Sequence, residues 1–127
     1  MSLDCGRKPQ YLERTHARIH IITTVSELSV KAGGSVSIPC RYDSQYINNV
    51  KYLCKGYPWL QCSYVFRTDQ QSSRKYSISD DKSRRIFTVT INDLTVEDTD
   101  YWCAVEINGM LDKKAHFHLS VTSGKSL

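Results

Sequence analysis

Between about residue 20 and residue 121 the chain repeats one theme: short runs in which apolar and polar side chains alternate, separated by polar turns. Val36, Ile38 and Cys40 alternate with Ser37 and Pro39, and Phe87, Val89 and Ile91 alternate with Thr88 and Thr90. Tyr101, Cys103, Val105 and Ile107 alternate with Trp102, Ala104 and Glu106, while Phe117, Leu119 and Val121 alternate with His116, His118 and Ser120. A period of two sends one set of side chains into a core and the other outward. No apolar stripe of helical period and length interrupts the pattern. Turn-rich stretches at 32–34, 43–49, 55–58, 68–73, 80–83, 93–99 and 108–109 cut the chain into eight or nine strands, which predicts an all-β antiparallel sandwich. The expected organisation is a poorly ordered N-terminal tail over residues 1–18, one domain over 19–122 and a short C-terminal tail over 123–127.

Composition narrows the function. With 127 residues and 40% hydrophobic content, the chain has room for one core and little room for two. The formal net charge is +4 and the basic residues are spread along the chain, so no nucleic-acid footprint is expected. The local runs Arg84-Arg85 and Lys113-Lys114 read as solvated strand ends. No run of 18 apolar residues occurs, and Met1-Ser2-Leu3-Asp4-Cys5 opens no apolar stretch, so neither a membrane span nor an export signal is expected within this sequence.

Five cysteines carry more information. Cys54 and Cys62 lie too far apart for the usual zinc-ligand pair. The pairs His16 with His20 and His116 with His118 have chelating spacings, but alternating histidines on the outer face of a terminal strand are the plainer reading, and no metal or other cofactor is expected. Two disulfides with Cys5 left as a spare thiol imply an oxidising compartment. Cys40 on an early strand and Cys103 on a late strand share inward parity, so they can meet across the core, and closing the long loop between them is worth roughly 4 kcal/mol. Tyr101 stands two residues before Cys103, behind Glu97-Asp98-Thr99-Asp100, where its hydroxyl can fold back onto the backbone of the preceding corner.

The segments 35–40 and 94–103 together resemble the two cysteine strands of an immunoglobulin variable-type domain. Lys51-Tyr52-Leu53-Cys54-Lys55, followed by Gly56-Tyr57-Pro58-Trp59-Leu60-Gln61-Cys62, resembles the polymeric immunoglobulin receptor and the leukocyte mono-immunoglobulin-like (CMRF35-like) receptors. That resemblance implies a second disulfide, Cys54 with Cys62, worth about 2.5 kcal/mol and stiffening the hairpin that carries Trp59. Three departures from the family pattern stand out. Leu53 replaces the tryptophan that packs on the core disulfide, so another side chain must fill the volume. Lys75 replaces an arginine that pairs with the corner aspartate, either Asp98 or its neighbour Glu97, and lysine lacks the bidentate fork. No Gly-x-Gly bulge follows Lys113. An inward Leu53 would also place Lys51 and Lys55 inward, and only the family analogy orients that strand.

No enzymatic motif is present, and Asp80-Asp81 and Asp98–Asp100 read as turn and corner residues, so an enzyme is not expected. The resemblance implies the ligand-recognising ectodomain of a cell-surface immune receptor, at the outer face of the plasma membrane or secreted, with any membrane span outside this chain. Recognition would then fall on three loops clustered at one end: 43–49, 68–73 and 106–113. Asn108-Gly109 predicts a tight turn whose tip carries Met110 and Leu111, either exposed or folded back near Tyr46 and Ile47. The tip loosely resembles that of the T-cell immunoglobulin and mucin receptors, in which two apolar residues precede a metal-binding Asn-Asp pair and read phosphatidylserine; here Asn108 and Asp112 are not contiguous. The candidate contact residues are Tyr46, Ile47, Asn108, Met110, Leu111, Asp112 and Lys113, for a protein ligand such as a multimeric immunoglobulin or for a phospholipid head group. A monomer is expected. The competing expectation is pairing with another immunoglobulin domain through a sheet face built from Trp102, Tyr52 and Tyr64.

Overall fold

The structure is a computed structural model and describes residues 22–123; the tail expected over 1–18, with Cys5, His16 and His20, lies outside the described residues. Nine strands follow in order: β1 (Ile22–Thr24), β2 (Glu27–Lys31), β3 (Val36–Tyr42), β4 (Lys51–Lys55), β5 (Ser63–Arg67), β6 (Tyr76–Asp81), β7 (Ile86–Ile91), β8 (Asp100–Val105) and β9 (Lys113–Thr122). They form two sheets, one of five strands in the order β2-β9-β8-β4-β5 and one of four in the order β1-β3-β7-β6. The chain changes sheets between β1 and β2: β1 runs antiparallel to β3, whereas β2 runs parallel to β9.

The alternation read from the sequence maps directly onto the layers. Val36, Ile38, Cys40 and Tyr42 of β3 point inward, as do Phe87, Val89 and Ile91 of β7 and Phe117 and Leu119 of β9. Cys40 and Cys103, both fully buried, are joined across this core over a sequence separation of 63. Leu53 is opposite Cys103 and fully buried, in the same core cluster as the rings of Phe87, Phe117, Tyr42 and Tyr46. Tyr101 stacks on Phe117 at 5.8 Å.

With Leu53 inward, β4 also turns Lys51 and Lys55 inward. Lys51 is fully buried, and its ammonium donates to Asp80 Oδ2 at 2.8 Å and to the carbonyl of Ile47 at 3.0 Å while lying 4.2 Å from the centre of the Tyr42 ring. Burial lowers its pKa, and the Asp80 carboxylate opposes that shift. The other end of β4 meets the corner before β8. Asp98, only 1% exposed, accepts from Lys75 Nζ at 2.8 Å, from the Thr95 amide at 2.8 Å and from the Tyr101 hydroxyl at 2.6 Å, and Lys55 Nζ approaches its other oxygen at 3.5 Å. The tyrosine hydroxyl thus bonds the aspartate side chain rather than the backbone anticipated from the sequence, because the buried carboxylate is the stronger acceptor within reach. Two lysines, one at each carboxylate oxygen, divide the work of an arginine fork. Glu97 takes no part in this cluster.

The chain itself covers part of the outer face of the five-stranded sheet, over Tyr52, Cys54 and Ala104. After β4, Gly56 takes φ +129° and donates to the Asp100 carbonyl, and a Cβ there would lie 2.9 Å from the Gln61 carbonyl oxygen. This close return, together with the Cys54–Cys62 disulfide, lays residues 57–61 back over the sheet. Trp59 meets Trp102 edge-on at 5.5 Å, Tyr57 stacks parallel to Trp102 at 5.9 Å, and the Trp102 indole donates to the Gly56 carbonyl at 2.7 Å. Tyr52, Cys54 and Ala104 form a second buried cluster beneath this flap. The expectation that Tyr52 and Trp102 stand exposed for sheet pairing is therefore corrected: Tyr52 is 2% exposed and Trp102 is partly covered, leaving Tyr64 as the exposed member of the three.

Two outcomes are expected. Replacing Cys54 and Cys62 together by Ser should lower the melting temperature of a domain that still folds, whereas replacing Cys40 and Cys103 should leave little folded protein, both read by near-UV circular dichroism. Although burial alone would raise the Asp98 pKa, hydrogen bonds from Lys75, Tyr101 and the Thr95 amide outweigh it and hold the carboxyl well below the usual range. A depressed folded pKa means that this stabilisation is complete above the unfolded value near pH 4 and is lost as pH falls below it. Asp98→Asn should therefore cost roughly 3 kcal/mol at pH 7 and flatten the acid limb in urea titrations at a series of pH values; equal acid slopes in the two proteins would refute the assignment.

Candidate functional site

Three segments meet at the end of the sandwich where β3 and β8 terminate and β4 and β9 begin. The first, after β3, forms a short 3-10 turn over Ser44–Tyr46 and closes with the Asn49 side chain donating to the Glu106 carbonyl at 3.0 Å. The second begins at Thr68, whose amide and hydroxyl pair with the Lys51 backbone. Only its first residues lie at this end, because by Ser73 the chain is bonded to Tyr76 at the opposite end, where β6 starts. The expectation that residues 68–73 form a third loop of the cluster is corrected to that extent: the segment is a crossing between sheets and spans the height of the domain.

The third segment is the β8–β9 loop. Gly109 has φ +74°, and Asn108, the residue before it, does not share the left-handed conformation, so the turn is of the type that needs glycine at its third position. The Met110 amide closes it on the Ile107 carbonyl at 3.4 Å. Met110 is 71% and Leu111 86% exposed, so of the two alternatives the aliphatic pair projects into water and does not fold back on the first loop. The base of the loop is fixed by Asp112. One of its oxygens accepts from the Ile107 amide at 3.0 Å and the other from the Tyr52 hydroxyl in a short hydrogen bond. Burial, and then the hydrogen bond to Asp112, push the Tyr52 pKa above its ordinary value, so Tyr52 remains a donor throughout the physiological range.

The remaining candidates divide between the two sides of this loop. Asn108 lines a shallow polar cleft of about 230 Å³ with Asn48, Asn49, Val50 and Glu106. Leu111, Asp112, Lys113 and Lys114 line another of about 200 Å³ with Ile22. Tyr46 is 4% exposed and belongs to the core, and Ile47 packs against that core, so these two support the first loop from beneath instead of facing outward. Asp112, with both oxygens engaged, is a strut of the loop. Sequence reading overlooked Arg67, which joins Asp69 at 3.0 Å and Glu106 at 2.8 Å and so ties β5 to the end of β8, and Lys114, whose ammonium lies 5.0 Å from the centre of the Trp59 ring. The contacts with Glu106 and Trp59 leave no local signal, since each joins residues far apart in sequence, whereas Asp69 lies only two residues beyond Arg67. His116 and His118 both contact Asp100 Oδ1, at 2.8 and 3.1 Å, and among the described residues no group of three or more His, Cys, Asp or Glu side chains is arranged to hold a metal ion.

The immunoglobulin V-set domain family model matches residues 23–122, nearly the whole of the described sandwich. The chain belongs to the immunoglobulin V-set family. This V-set domain is 38% identical over 89 residues to CMRF35-like molecule 3 of Mus musculus, with 66% of this chain and 36% of that protein covered. It is 37% identical over 92 residues to CMRF35-like molecule 1 of Homo sapiens, covering 68% of this chain and 31% of the relative. Among solved structures, the teleost fish polymeric Ig receptor ectodomain superposes with a TM-score of 0.72 at 41% identity, covering 80% of this chain and 50% of that one. The chain thus spans about a third of the length of these curated relatives. It is a receptor-type immunoglobulin domain related to the CMRF35-like molecules and to the polymeric Ig receptor ectodomain.

The strut at Asp112 yields a test. Tyr52→Phe should cost about 1–2 kcal/mol by leaving Asp112 short of a donor, and hydrogen exchange at the Ile107 amide should accelerate while exchange in β3 and β7 changes only in proportion to global stability.

Proposed function

We propose that this V-set domain is the ligand-recognising ectodomain of a cell-surface immune receptor and that it binds through the loop end of the sandwich. The observation that carries the reading is the exposed pair Met110 and Leu111, held on a loop whose base is fixed by Asp112. An aliphatic pair in water is unfavourable for an isolated domain, and its placement on a braced loop fits a contact whose ordering cost is already met before binding. Asn108 and Lys113 border the pair, supplying polar and positively charged partners around an apolar centre. The ligand is a protein, such as a multimeric immunoglobulin, or a phospholipid head group. The self-covered outer sheet favours a monomer acting through its loops, with the domain displayed at the extracellular face of the plasma membrane or secreted.

The test is a binding screen of the refolded domain against multimeric immunoglobulins and phosphatidylserine vesicles. Met110→Ser combined with Leu111→Ser should abolish binding to whichever partner is found, with no fall in melting temperature. Unchanged binding would move the site to residues 43–49 or to the sheet face. Cys5→Ser should be used as the background, so that a disulfide dimer does not imitate association.

A further inference from the structure

A second feature lies on the other sheet, around the turn between β6 and β7. Lys82, Arg84 and Arg85 occupy this turn, and all three are exposed. Arg41 joins them: it pairs with Ile86 across β3 and β7, next to Arg85, and the Arg85 carbonyl accepts from the Tyr42 amide at 3.0 Å. Four cations thus gather at one hairpin end, and among the described residues none of their side chains joins a salt bridge.

Of the neighbouring carboxylates, Asp80 is neutralised by Lys51, and Asp81 is bonded within the turn, where it keeps its charge beside Arg84. Asp80 is held by Lys51 and by the Tyr42 hydroxyl, and Asp81 accepts from the Ser83 hydroxyl at 2.9 Å and the Arg84 amide at 3.3 Å. The backbone adds a further observation. Arg85 has φ +57°, a left-handed conformation that glycine or asparagine adopts with less strain, so the arginine stands here against local backbone preference.

We propose that Arg41, Lys82, Arg84 and Arg85 form a binding site for a sulfated glycosaminoglycan. Charge complementarity selects a polyanion, because four exposed cations without a salt bridge among the described residues outnumber the one neighbouring free carboxylate, Asp81, and are matched by a chain bearing closely repeated sulfates. The adjoining surface selects a sugar polymer over a membrane or a nucleic acid. The outer face of the four-stranded sheet presents hydroxyls of Ser37, Ser77, Ser79, Thr88 and Thr90, with those of Ser37 and Thr90 bonded to each other at 2.9 Å, and Arg41 forms part of the wall of a shallow cleft of about 240 Å³ with Thr23, Thr24, Val25, Pro39 and Ile86. The turn itself, Lys82 to Arg85, carries no aromatic ring on which a base could stack, and the apolar Val25 and Ile86 beside it sit in the wall of the cleft and do not project from a loop tip that could enter a bilayer. This site lies at the same end of the sandwich as the aliphatic tip but on the other sheet, shares no residue with Met110 and Leu111, and does not depend on what that tip binds.

The test measures binding of the full chain, with Cys5→Ser, to heparin and to fully desulfated heparin by surface plasmon resonance over a series of salt concentrations. Heparin should bind with an affinity that falls as salt rises, and the desulfated polymer should not bind. Arg84→Ser with Arg85→Gly should weaken binding at least tenfold at 0.15 M salt and reduce the slope of log affinity against log salt by roughly one per cation removed. The melting temperature should not fall, since glycine suits the backbone at position 85. Lys31→Ser with Arg74→Ser removes the same charge at the opposite end of the sandwich and should leave binding close to that of the parent. The proposal is overturned if heparin fails to bind, if desulfation makes no difference, if the two double variants lose affinity equally, or if anionic phospholipid vesicles bind the same arginines more tightly than heparin does.

Discussion

The orientation of one five-residue strand governs most of this structure. β4 is buried on both faces, with Leu53 against the core disulfide and Tyr52 and Cys54 against the flap of residues 57–61. Because side chains alternate, turning Leu53 inward takes Lys51 and Lys55 with it, and a lysine inside a sandwich needs a carboxylate. Asp80 and Asp98 provide one at each end. The ion pairs tie β4 to the end of β6 and to the corner that leads into β8, so both ends of the sandwich are pinned to the strand at its centre. A slip of one residue would take Leu53 out of the core and put it under the flap, turn Lys51 away from Asp80 and leave Asp98 with Lys75 alone, so the register has no cheap alternative.

The second disulfide follows from the same strand. An outward Cys54 can reach Cys62 only if the intervening segment bends back over the sheet, and that bend places Trp59 and Tyr57 on Trp102. The domain's own side chains thus cover Tyr52 and part of Trp102 on this face, while Tyr57, Leu60 and Tyr64 stay exposed beside them. The same cluster reaches the loop end of the sandwich, since Tyr52 lies beneath the flap and holds Asp112 at the root of the β8–β9 loop. Scaffold and candidate site are therefore parts of one packed unit.

The strands, their inward residues and the pairing of Cys40 with Cys103 were legible because period-two alternation is a local property that core burial enforces directly. The orientation of β4 was not, since Lys-Tyr-Leu-Cys-Lys offers apolar or aromatic residues to both faces and the deciding carboxylates lie far along the chain. Parity also says which way a side chain points but not what covers it, which is why Trp102 and Tyr52 read as an open face. The role of Asp112 was hidden for a similar reason: in sequence it resembles any turn aspartate, and its partner stands 60 residues earlier. The destination of Tyr101 was nearly right, with the correct corner but a carboxylate in place of the backbone. Residues 68–73 misled because a sheet-crossing segment and a recognition loop share the same polar composition.

The parallel pairing of β2 with β9 has a mechanical consequence. Five residues of β2, Glu27 to Lys31, run beside His118 to Thr122 in the same direction, and the Ala32 amide extends the ladder to the Thr122 carbonyl. Tension applied between the two ends of the domain pulls these strands past each other along their length, so every rung of the ladder is loaded at once and none can open ahead of its neighbours. A domain joined to its surroundings through its ends is thereby built to transmit a pull without peeling apart from the edge.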